Sequence, residues 1–302
     1  MVIWKKIFDF YIKSSLHVAL SAYALVSMTL FFFNISENFE VKAFAFYGTI
    51  VGYNFVKYDA LARLNKITLR KELKYIIILS ICSGFASFYY FLKLQFITKS
   101  LGICVFVLLL LYTLPFFPNK RNARNWKGIK IYIVSLCWVG VTVILPLINA
   151  KVGFTSDVLL LSIQRFLLIF VLVLIFEIID INTDDPHLQT VPQQIGVAKT
   201  KLLGYGLLTV LLLLEFLYEA NQDYVPLVFK CIVSGSIALF LYFVNENRSR
   251  YYASFWVEAI PVFWWILLMF LSSRIFFPRR FISKSNSRFC FLVSVFATFS
   301  VS

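Results

Sequence analysis

Nine long apolar runs limit what this chain can fold into more than any other feature of its sequence. Most of them approach the roughly 20 residues that a helix needs to cross the hydrocarbon core of a bilayer. Because an unpaired backbone amide is costly in lipid, apolar runs of this length fold as helices. The sequence therefore predicts an all-α, polytopic integral membrane protein with about nine transmembrane helices. The runs cover approximately residues 16–33, 41–56, 75–92, 100–117, 130–149, 157–179, 202–219, 225–245 and 254–272.

The amino-acid composition supports a protein dissolved in a bilayer rather than in water. Of the 302 residues, 60% are hydrophobic and 15% are charged, whereas soluble domains have roughly 45–50% and 25%. The net charge of +14 is compatible with a nucleic-acid-binding protein, but the basic residues lie in short loops between the apolar runs. We therefore expect no nucleic-acid partner. The five cysteines form no CxxC pair, so we expect neither a disulfide framework nor a zinc site.

Lysines and arginines are distributed unevenly between the two sets of loops. Eighteen of them lie in the amino-terminal segment and the even-numbered loops, against four in the odd-numbered loops. By the positive-inside rule, this bias places the amino terminus and the even-numbered loops in the cytoplasm. The membrane that we expect is the inner membrane of a bacterium.

The carboxyl-terminal segment does not fit a bundle of nine spans. Residues 273–302 begin with a basic stretch on what would be the outer side and end in 13 mostly apolar residues, 289–301. So short a run cannot cross a membrane alone. We therefore divide the chain into a membrane domain, residues 1–272, and a tail, residues 273–302, of unknown role.

Four acidic residues at the end of the sixth apolar run form the most informative cluster in the sequence. Glu177, Asp180 and Asp184 stand at positions i, i+3 and i+7, which puts three carboxylates on one face of a helix, and Asp185 adds a fourth acid. Like charges this close repel one another, and their burial near lipid is costly. Because Mg²⁺ binds carboxylates together with phosphate oxygens, the cluster predicts a Mg²⁺–diphosphate site with these four residues as metal ligands. An ordinary solvated helix end is the alternative.

The segment that contains these acids resembles the second Asp-rich motif of the UbiA superfamily of intramembrane prenyltransferases. That motif is similar to DxxDxxxD, followed by a Thr-Leu/Val-Pro turn and a glycine. The positions are taken here by Glu177, Asp180, Asp184, Thr190, Val191, Pro192 and Gly196. The resemblance extends over approximately residues 10–272 and implies nine helices around a central cavity that cytoplasmic loops cap. It also implies Mg²⁺-dependent transfer of a prenyl group from an isoprenyl diphosphate to an acceptor, with Asp180, Asp184 and Glu177 as the catalytic residues.

The first Asp-rich motif of the family is degenerate in this chain. The family motif resembles NDxxDxxxD, often continued as Arg-x-Asn-Lys, and residues 54–66 read NFVKYDALARLNK. Phe55, Tyr58 and Ala62 replace the three acids, and Asp59 is one residue out of register. The resemblance implies that the substrate is bound by Asn54, Asp59, Arg63, Lys66, Tyr112, Lys120, Arg121 and Lys199. Lys57 is a further candidate for direct pairing with phosphate oxygens.

Two functions follow from these motifs. The second motif favours an enzyme, a prenyltransferase that moves an isoprenyl group to a lipophilic or aromatic acceptor whose identity the sequence does not reveal. The eroded first motif favours a catalytically impaired relative that binds or transports an isoprenoid lipid. A transporter more often shows an inverted repeat, and the sequence contains no convincing one.

Three charged residues lie within apolar runs, where a charge usually faces a cavity or a partner. Arg165 and Lys230 are close enough to the outer ends of their runs to snorkel to the interface, and we expect this of both. Glu258 lies near the inner end of the ninth run. It either faces the central cavity or pairs with Arg248 or Arg250 at the interface, which is the slightly favoured alternative.

Overall fold

The computed structural model of the protein describes residues 2–63, 71–115, 126–216 and 224–274. Within these ranges the chain forms α-helices and no β-strand, which confirms the predicted all-α class. The helices are α1 Val2–Lys13, α2 Leu16–Phe32, α3 Phe39–Arg63, α4 Lys71–Lys93, α5 Phe96–Thr113, α6 Lys130–Val139, α7 Leu145–Asn149, α8 Ser156–Asp180, α9 Val191–Phe216, α10 Tyr224–Phe243 and α11 Glu258–Arg274. After Arg274, the predicted tail lies outside the described residues.

Most of these helices are long and apolar enough to span a membrane. In the described part of the chain, six helical segments meet this requirement, and the bent pair α1–α2 makes a seventh if it counts as one span. The six are Glu72–Lys93, Phe96–Thr113, Lys130–Asn149, Ser156–Asp180, Val191–Leu214 and Tyr252–Met269. The chain is therefore an integral multi-pass membrane protein. Helices α3 and α10 coincide with the second and eighth apolar runs but do not meet the requirement over their described residues, so a total of nine spans stays a prediction.

Helix α8 lies at the centre of the bundle and α4 at its edge. In the most apolar stretch of α8, 61% of the residues are buried, compared with 11% in the corresponding stretch of α4. Leu168, Val171 and Ile175 of α8 belong to one main core that also takes residues from α2, α9, α10 and α11. Helix α4 instead presents large apolar side chains such as Phe85, which is 74% exposed. The end of α8 is therefore a fixed position on which a site can be built.

A proline explains the irregular stretch between α6 and α7. Proline has no amide hydrogen and cannot bond to the carbonyl four residues earlier, so it distorts the turn before it. Pro146 follows a π-helical segment, Gly140–Ile144, that joins the two helices. The carbonyl that Pro146 cannot bond is that of Thr142, and the hydroxyl of Thr29 on α2 donates to it at 2.8 Å. The irregularity is therefore fixed by a side chain from a neighbouring helix.

Asn54 of α3 holds the bend between α1 and α2 in place. The two helices meet at 53°, and Ser15 at the corner has a left-handed backbone with φ 64°. Oγ of Ser15 donates to Oδ1 of Asn54 at 2.8 Å. Nδ2 of Asn54 donates to the carbonyl of Ser14 at 3.0 Å and to Oγ of Ser80 on α4 at 2.9 Å. Both amide hydrogens of this buried side chain are thus used to join the α1–α2 bend to α3 and α4.

Arg165 is completely buried, so the expectation that it snorkels is wrong. Its exposed fraction is 0%, and its Nη2 donates to the hydroxyl of Thr29 at 3.3 Å. Its Nε and Nη1 find no hydrogen-bond acceptor in the described part of the chain. Because α8 is the central helix, the guanidinium is enclosed by protein and does not reach the interface. Lys230 belongs to α10, but its side chain lies outside the described part.

We expect Arg165→Met to raise the free energy of unfolding by about 1–3 kcal/mol, because it removes buried polar groups that have no hydrogen-bond acceptor in the described part of the chain. Reversible unfolding in detergent micelles measures the change. Arg165→Lys keeps the charge and serves as the control, for which we expect no gain. A loss of stability in Arg165→Met would contradict the prediction and indicate that the guanidinium has an ionic partner.

Candidate functional site

The turn after α8 places Asp184 next to the end of that helix, where Asp180 lies. Asp180 is the last residue of α8. The amide N–H groups of Thr183 and Asp184 both donate to the Asp180 carbonyl at 2.8 Å. The turn thereby folds back on α8 and keeps Asp184 within one helical turn of Asp180. Both acidic side chains are partly buried.

A cation from another part of the chain binds each of these carboxylates. Nζ of Lys130, the first residue of α6, lies 3.0 Å from Oδ2 of Asp184. Nε of Arg250 lies 3.3 Å from Oδ1 of Asp180, and Nη2 of the same arginine donates to Oγ1 of Thr183 at 3.1 Å. We call Asp180, Asp184, Lys130 and Arg250 the acid cluster. It joins α6, α8 and the segment before α11 at one end of the bundle.

Sequence reasoning missed both cations of the acid cluster as site residues. Lys130 counted only among the basic residues that orient the loops, and Arg250 was considered besides only as a partner of Glu258. Lys130 lies 54 residues before Asp184. Their contact depends on how α6 packs against α8, so no motif in the sequence predicts it. The side chains of Lys130 and Asp184 are 18% and 14% exposed, compared with 73% and 30% for Arg250 and Asp180. Water therefore screens the second pair more strongly.

Glu177 supports the start of α9. It is 1% exposed, and its Oε2 accepts from the amide N–H of Val191, the first residue of α9, at 3.1 Å. A carboxylate at a helix amino terminus satisfies a free amide and interacts favourably with the helix dipole. The amide of Thr190 donates to Oε1 of Gln193 at 2.9 Å, which is one half of a capping box. The Thr-Val-Pro-Gln segment is therefore explained as a helix start.

The acid cluster offers two carboxylates to a metal ion. Among the described residues, no group of three or more His, Cys, Asp or Glu side chains is arranged to hold one. Glu177 is committed to α9, and the exposed Asp185 accepts from the N–H of His187 at 2.9 Å. Mg²⁺ is usually held by one or two carboxylates plus phosphate oxygens of a substrate. A Mg²⁺ ion held by Asp180 and Asp184 would therefore need further oxygen ligands from a substrate.

Of the eight predicted substrate-binding residues, the structure describes the side chains of three. Asn54 is used by the α1–α2 bend. Tyr112, in the last turn of α5, is 5% exposed and lies within electrostatic range of Tyr53. Lys199 is exposed on α9. The side chains of the others lie outside the described part of the chain: Asp59, Arg63, Lys66, Lys120 and Arg121.

Gly196, which takes the glycine position of the second motif, bends α9 shortly after its start. Its φ of 78° and ψ of 160° lie in a region that is essentially restricted to glycine. A Cβ built at this position would meet no atom within 4 Å. The backbone conformation alone, and not a close contact, therefore requires a glycine here.

We expect Gly196→Ala to lower the free energy of unfolding by about 1–3 kcal/mol, the usual cost of a residue held in a disfavoured backbone region. Gly206→Ala is the matched control, because this glycine lies in the same helix and its Cβ would also meet no atom within 4 Å. There the substitution should be neutral or stabilising by up to about 1 kcal/mol. Unfolding of both variants in the same detergent checks the prediction, and equal effects would contradict it.

Four side chains from three helices form a second polar group, which we call the interior layer: Tyr53, Lys57, Trp138 and Glu258. Nε1 of Trp138 donates to the hydroxyl of Tyr53 at 3.0 Å. Nζ of Lys57 lies 5.8 Å from the centre of the Tyr53 ring. Glu258 lies within electrostatic range of both Tyr53 and Lys57. The interior layer thus connects α3, α6 and α11.

The interior layer lies deeper in the bundle than the acid cluster. Lys130 and Trp138 are eight residues apart on α6, and Arg250 and Glu258 are eight residues apart on the helical segment that enters α11. At a rise of 1.5 Å per residue, eight helical residues span about 12 Å. Both segments begin at the acid cluster, so Trp138 and Glu258 lie roughly 10 Å further along their helices.

Glu258 does not pair with an arginine at the interface, so that alternative from the sequence is wrong. Arg250 binds Asp180 instead, and Arg248 donates to a backbone carbonyl. Glu258 shares a face of α11 with Trp265, seven residues later, and the ring of Trp265 packs against α2. Glu258 therefore faces the inside of the bundle.

Comparison with known proteins identifies the fold and not the family. No protein-family model matches the chain, and no curated protein matches it either. A solved structure of digeranylgeranylglyceryl phosphate synthase in membranes is similar to it, with a TM-score of 0.50 over 97% of this chain and 99% of the other. The sequence identity is 14%, so the likeness concerns the fold alone.

Proposed function

We propose that this chain is a membrane prenyltransferase that moves an isoprenyl group from an isoprenyl diphosphate to a lipophilic or aromatic acceptor in a Mg²⁺-dependent reaction. The observation that carries the proposal is the fold, which is similar to that of a digeranylgeranylglyceryl phosphate synthase over nearly the whole of both chains. The segment at the end of α8 adds support, because it resembles the second motif of the UbiA superfamily and contributes both carboxylates of the acid cluster.

In this proposal the acid cluster holds the diphosphate. Asp180 and Asp184 would hold a Mg²⁺ ion, which would supply positive charge to the departing pyrophosphate. Lys130 and Arg250 turn from the carboxylates to the phosphate oxygens, which both kinds of side chain bind well. The prenyl carbon is then captured by the acceptor, and aromatic side chains deeper in the bundle stabilise its positive charge by cation–π contact.

The alternative is a catalytically impaired relative that binds or transports an isoprenoid lipid. The first motif lacks its three acids, and Asp180 and Asp184 are already neutralised by Arg250 and Lys130. Such an arrangement binds a diphosphate through the two cations without a metal ion. A protein of this kind releases no pyrophosphate.

One assay separates the two functions. The purified protein in liposomes is incubated with labelled farnesyl and geranylgeranyl diphosphates, in Mg²⁺ or in EDTA, with host lipid extract as the source of acceptors. A transferase gives Mg²⁺-dependent release of pyrophosphate and a labelled lipid. Binding of the diphosphate without release in either condition supports the alternative. If neither binding nor release is found, both functions are wrong and the likeness is one of fold only.

A further inference from the structure

We propose that a groove between α1 and α4 binds an anionic phospholipid, with an acyl chain in the groove and the negatively charged headgroup at the lysines beside it. A lipid held in this way is not a substrate. The site therefore goes beyond the proposed function, and it does not depend on prenyl transfer.

The groove is lined almost wholly by apolar side chains and follows α4 for about two helical turns. Its volume is about 460 Å³, and its lining residues are Phe10 of α1 and Tyr75, Ile78, Leu79 and Cys82 of α4. The seven residues from Tyr75 to Cys82 span about 10 Å along the helix. Tyr75 and Ile78 are 61% and 57% exposed, so the described part of the chain leaves this face of α4 open. An open apolar groove of this length suits a hydrocarbon chain.

Helix α1 has the pattern of a helix that lies at the membrane interface. Its polar face consists of Lys5, Lys6, Asp9 and Lys13, and its apolar face includes the exposed side chains of Ile3, Trp4 and Ile7. Amphipathic helices with a basic polar face and a tryptophan on the apolar face lie at the level of the lipid headgroups. The bend of 53° between α1 and α2 turns α1 away from the direction of the span. A lipid headgroup can therefore reach the side of α1 that faces the groove.

Contacts on both sides of α1 hold it in position beside the groove. Phe8 lies two residues before Phe10 and thus on the opposite side of α1, where its ring centre is 5.0 Å from that of Phe255. Oδ1 of Asp9 accepts from the hydroxyl of Tyr251. Towards α4, Nζ of Lys13 lies 3.5 Å from Oε2 of Glu72. The groove is therefore formed by two helices that the rest of the fold keeps apart at a set distance.

Each wall of the groove carries a lysine one helical turn from a lining residue. Lys6 precedes Phe10 by four residues, and Lys74 precedes Ile78 by four residues, so each pair shares a helix face. Both lysines are exposed. Lys74 lies near the amino terminus of α4, so the positive charge stands at one end of the groove and the apolar lining continues away from it. This arrangement matches the order of a charged headgroup and an acyl chain.

An anionic phospholipid fits these features better than a zwitterionic lipid or a second copy of the chain. A zwitterionic lipid fills the groove equally well but has no net charge for the lysines to attract. A second copy related by twofold symmetry brings the same surface against itself, and the lysines of the two copies then repel one another. The distribution of basic residues predicts that this end of the bundle is cytoplasmic, and the cytoplasmic leaflet carries anionic lipids.

The test is native mass spectrometry of the full-length protein in detergent, titrated with phosphatidylglycerol or with phosphatidylcholine that has the same acyl chains. Lys6→Gln and Lys74→Gln each remove one charge beside the groove, and Cys82→Trp fills the groove with an indole ring. Lys5→Gln is the matched control for charge, because Lys5 is exposed on the side of α1 away from Phe10. Cys104→Trp, at an exposed position of α5, is the matched control for size.

We expect the parent protein to bind phosphatidylglycerol about 20-fold more tightly than phosphatidylcholine. Lys6→Gln and Lys74→Gln should each lower this preference about five-fold, the effect of one basic residue near an anionic lipid surface, and leave the affinity for phosphatidylcholine unchanged. Cys82→Trp should weaken binding of both lipids about 10-fold, the effect of displacing two methylene groups from an apolar site. Both control variants should bind as the parent does. Glycerol phosphate, which has the charge without the chain, should not displace phosphatidylglycerol.

Equal affinities of the parent protein for the two lipids would overturn the proposed lipid site. A preference that survives in both Lys6→Gln and Lys74→Gln, or that falls equally in Lys5→Gln, would overturn it as well. A lipid-free dimer that Cys82→Trp abolishes would show that a second copy of the chain covers the groove instead. None of these results bears on prenyl transfer, which the release of pyrophosphate measures separately.

Discussion

Asp180→Asn and Asp184→Asn should each lower prenyl transfer by about 10²–10³-fold, the usual loss when one preorganised group that stabilises transition-state charge is removed. Each substitution keeps the shape of the side chain and removes one of the two carboxylates that the acid cluster offers to Mg²⁺. Transfer of label from geranylgeranyl diphosphate to lipid in liposomes measures the effect. Glu246→Gln, at an exposed position, is the control that should keep the parent rate.

The two variants should differ in stability, which separates a loss of function from a loss of fold. Asp184→Asn leaves Lys130 without its carboxylate in a pair that is 18% and 14% exposed, at a cost of about 1–3 kcal/mol. Asp180→Asn releases an arginine side chain that is 73% exposed, at a cost below about 1 kcal/mol. Full transfer activity in Asp180→Asn would show that the acid cluster does not hold the metal ion.

Asn54→Ala should lower the free energy of unfolding by about 2–3 kcal/mol, because it leaves buried hydrogen-bonding groups unsatisfied. The substitution removes the partner of the Ser15 hydroxyl and of the Ser14 carbonyl at the α1–α2 bend, and one partner of Ser80. Chemical unfolding in detergent, followed by tryptophan fluorescence, measures the change. Asn247→Ala, in an exposed loop, is the matched control and should stay within about 0.5 kcal/mol of the parent.

The Asn54→Ala variant also distinguishes between two roles for Asn54. The family resemblance makes Asn54 a substrate-binding residue, whereas its contacts make it a support of the bend. A variant as stable as the parent that has lost diphosphate binding would favour the substrate-binding role. A destabilised variant that still binds the diphosphate would favour the structural role.

The class of fold could be predicted because it depends on properties of single segments. An apolar run at residues 157–179 predicted a span that the structure places at Ser156–Asp180. Helix α1 was missed, because its charged residues interrupt the apolar pattern and its angle to α2 depends on Asn54, a residue of another helix. The burial of Arg165 could not be foreseen for a similar reason, since it follows from the central position of α8 among its neighbours.

The site was predictable to the extent that it is local. The spacing correctly put Glu177 and Asp180 at the end of one helix, but α8 ends at Asp180 and Asp184 lies in the turn after it, so the prediction that Asp184 shares a helix face with them is wrong. The spacing also gave no sign that the acids have different surroundings. Glu177 is 1% exposed because α9 begins against it, whereas the Asp180 side chain is 30% exposed and meets Arg250. The cations and the interior layer arise from contacts between distant segments, which no local pattern in one sequence encodes.

The pairing within the acid cluster determines how diphosphate binding responds to ionic strength. Two carboxylates and two cations make the cluster electrically neutral before a ligand arrives. Under the proposed function, binding is then an exchange of partners: Lys130 and Arg250 move from carboxylate to phosphate, and Asp180 and Asp184 move from ammonium and guanidinium to metal. A neutral group exerts little long-range attraction for salt to screen. The salt dependence of the affinity for the diphosphate therefore comes from the basic loops. The exchange of partners within the acid cluster sets the part of that affinity that persists at high salt.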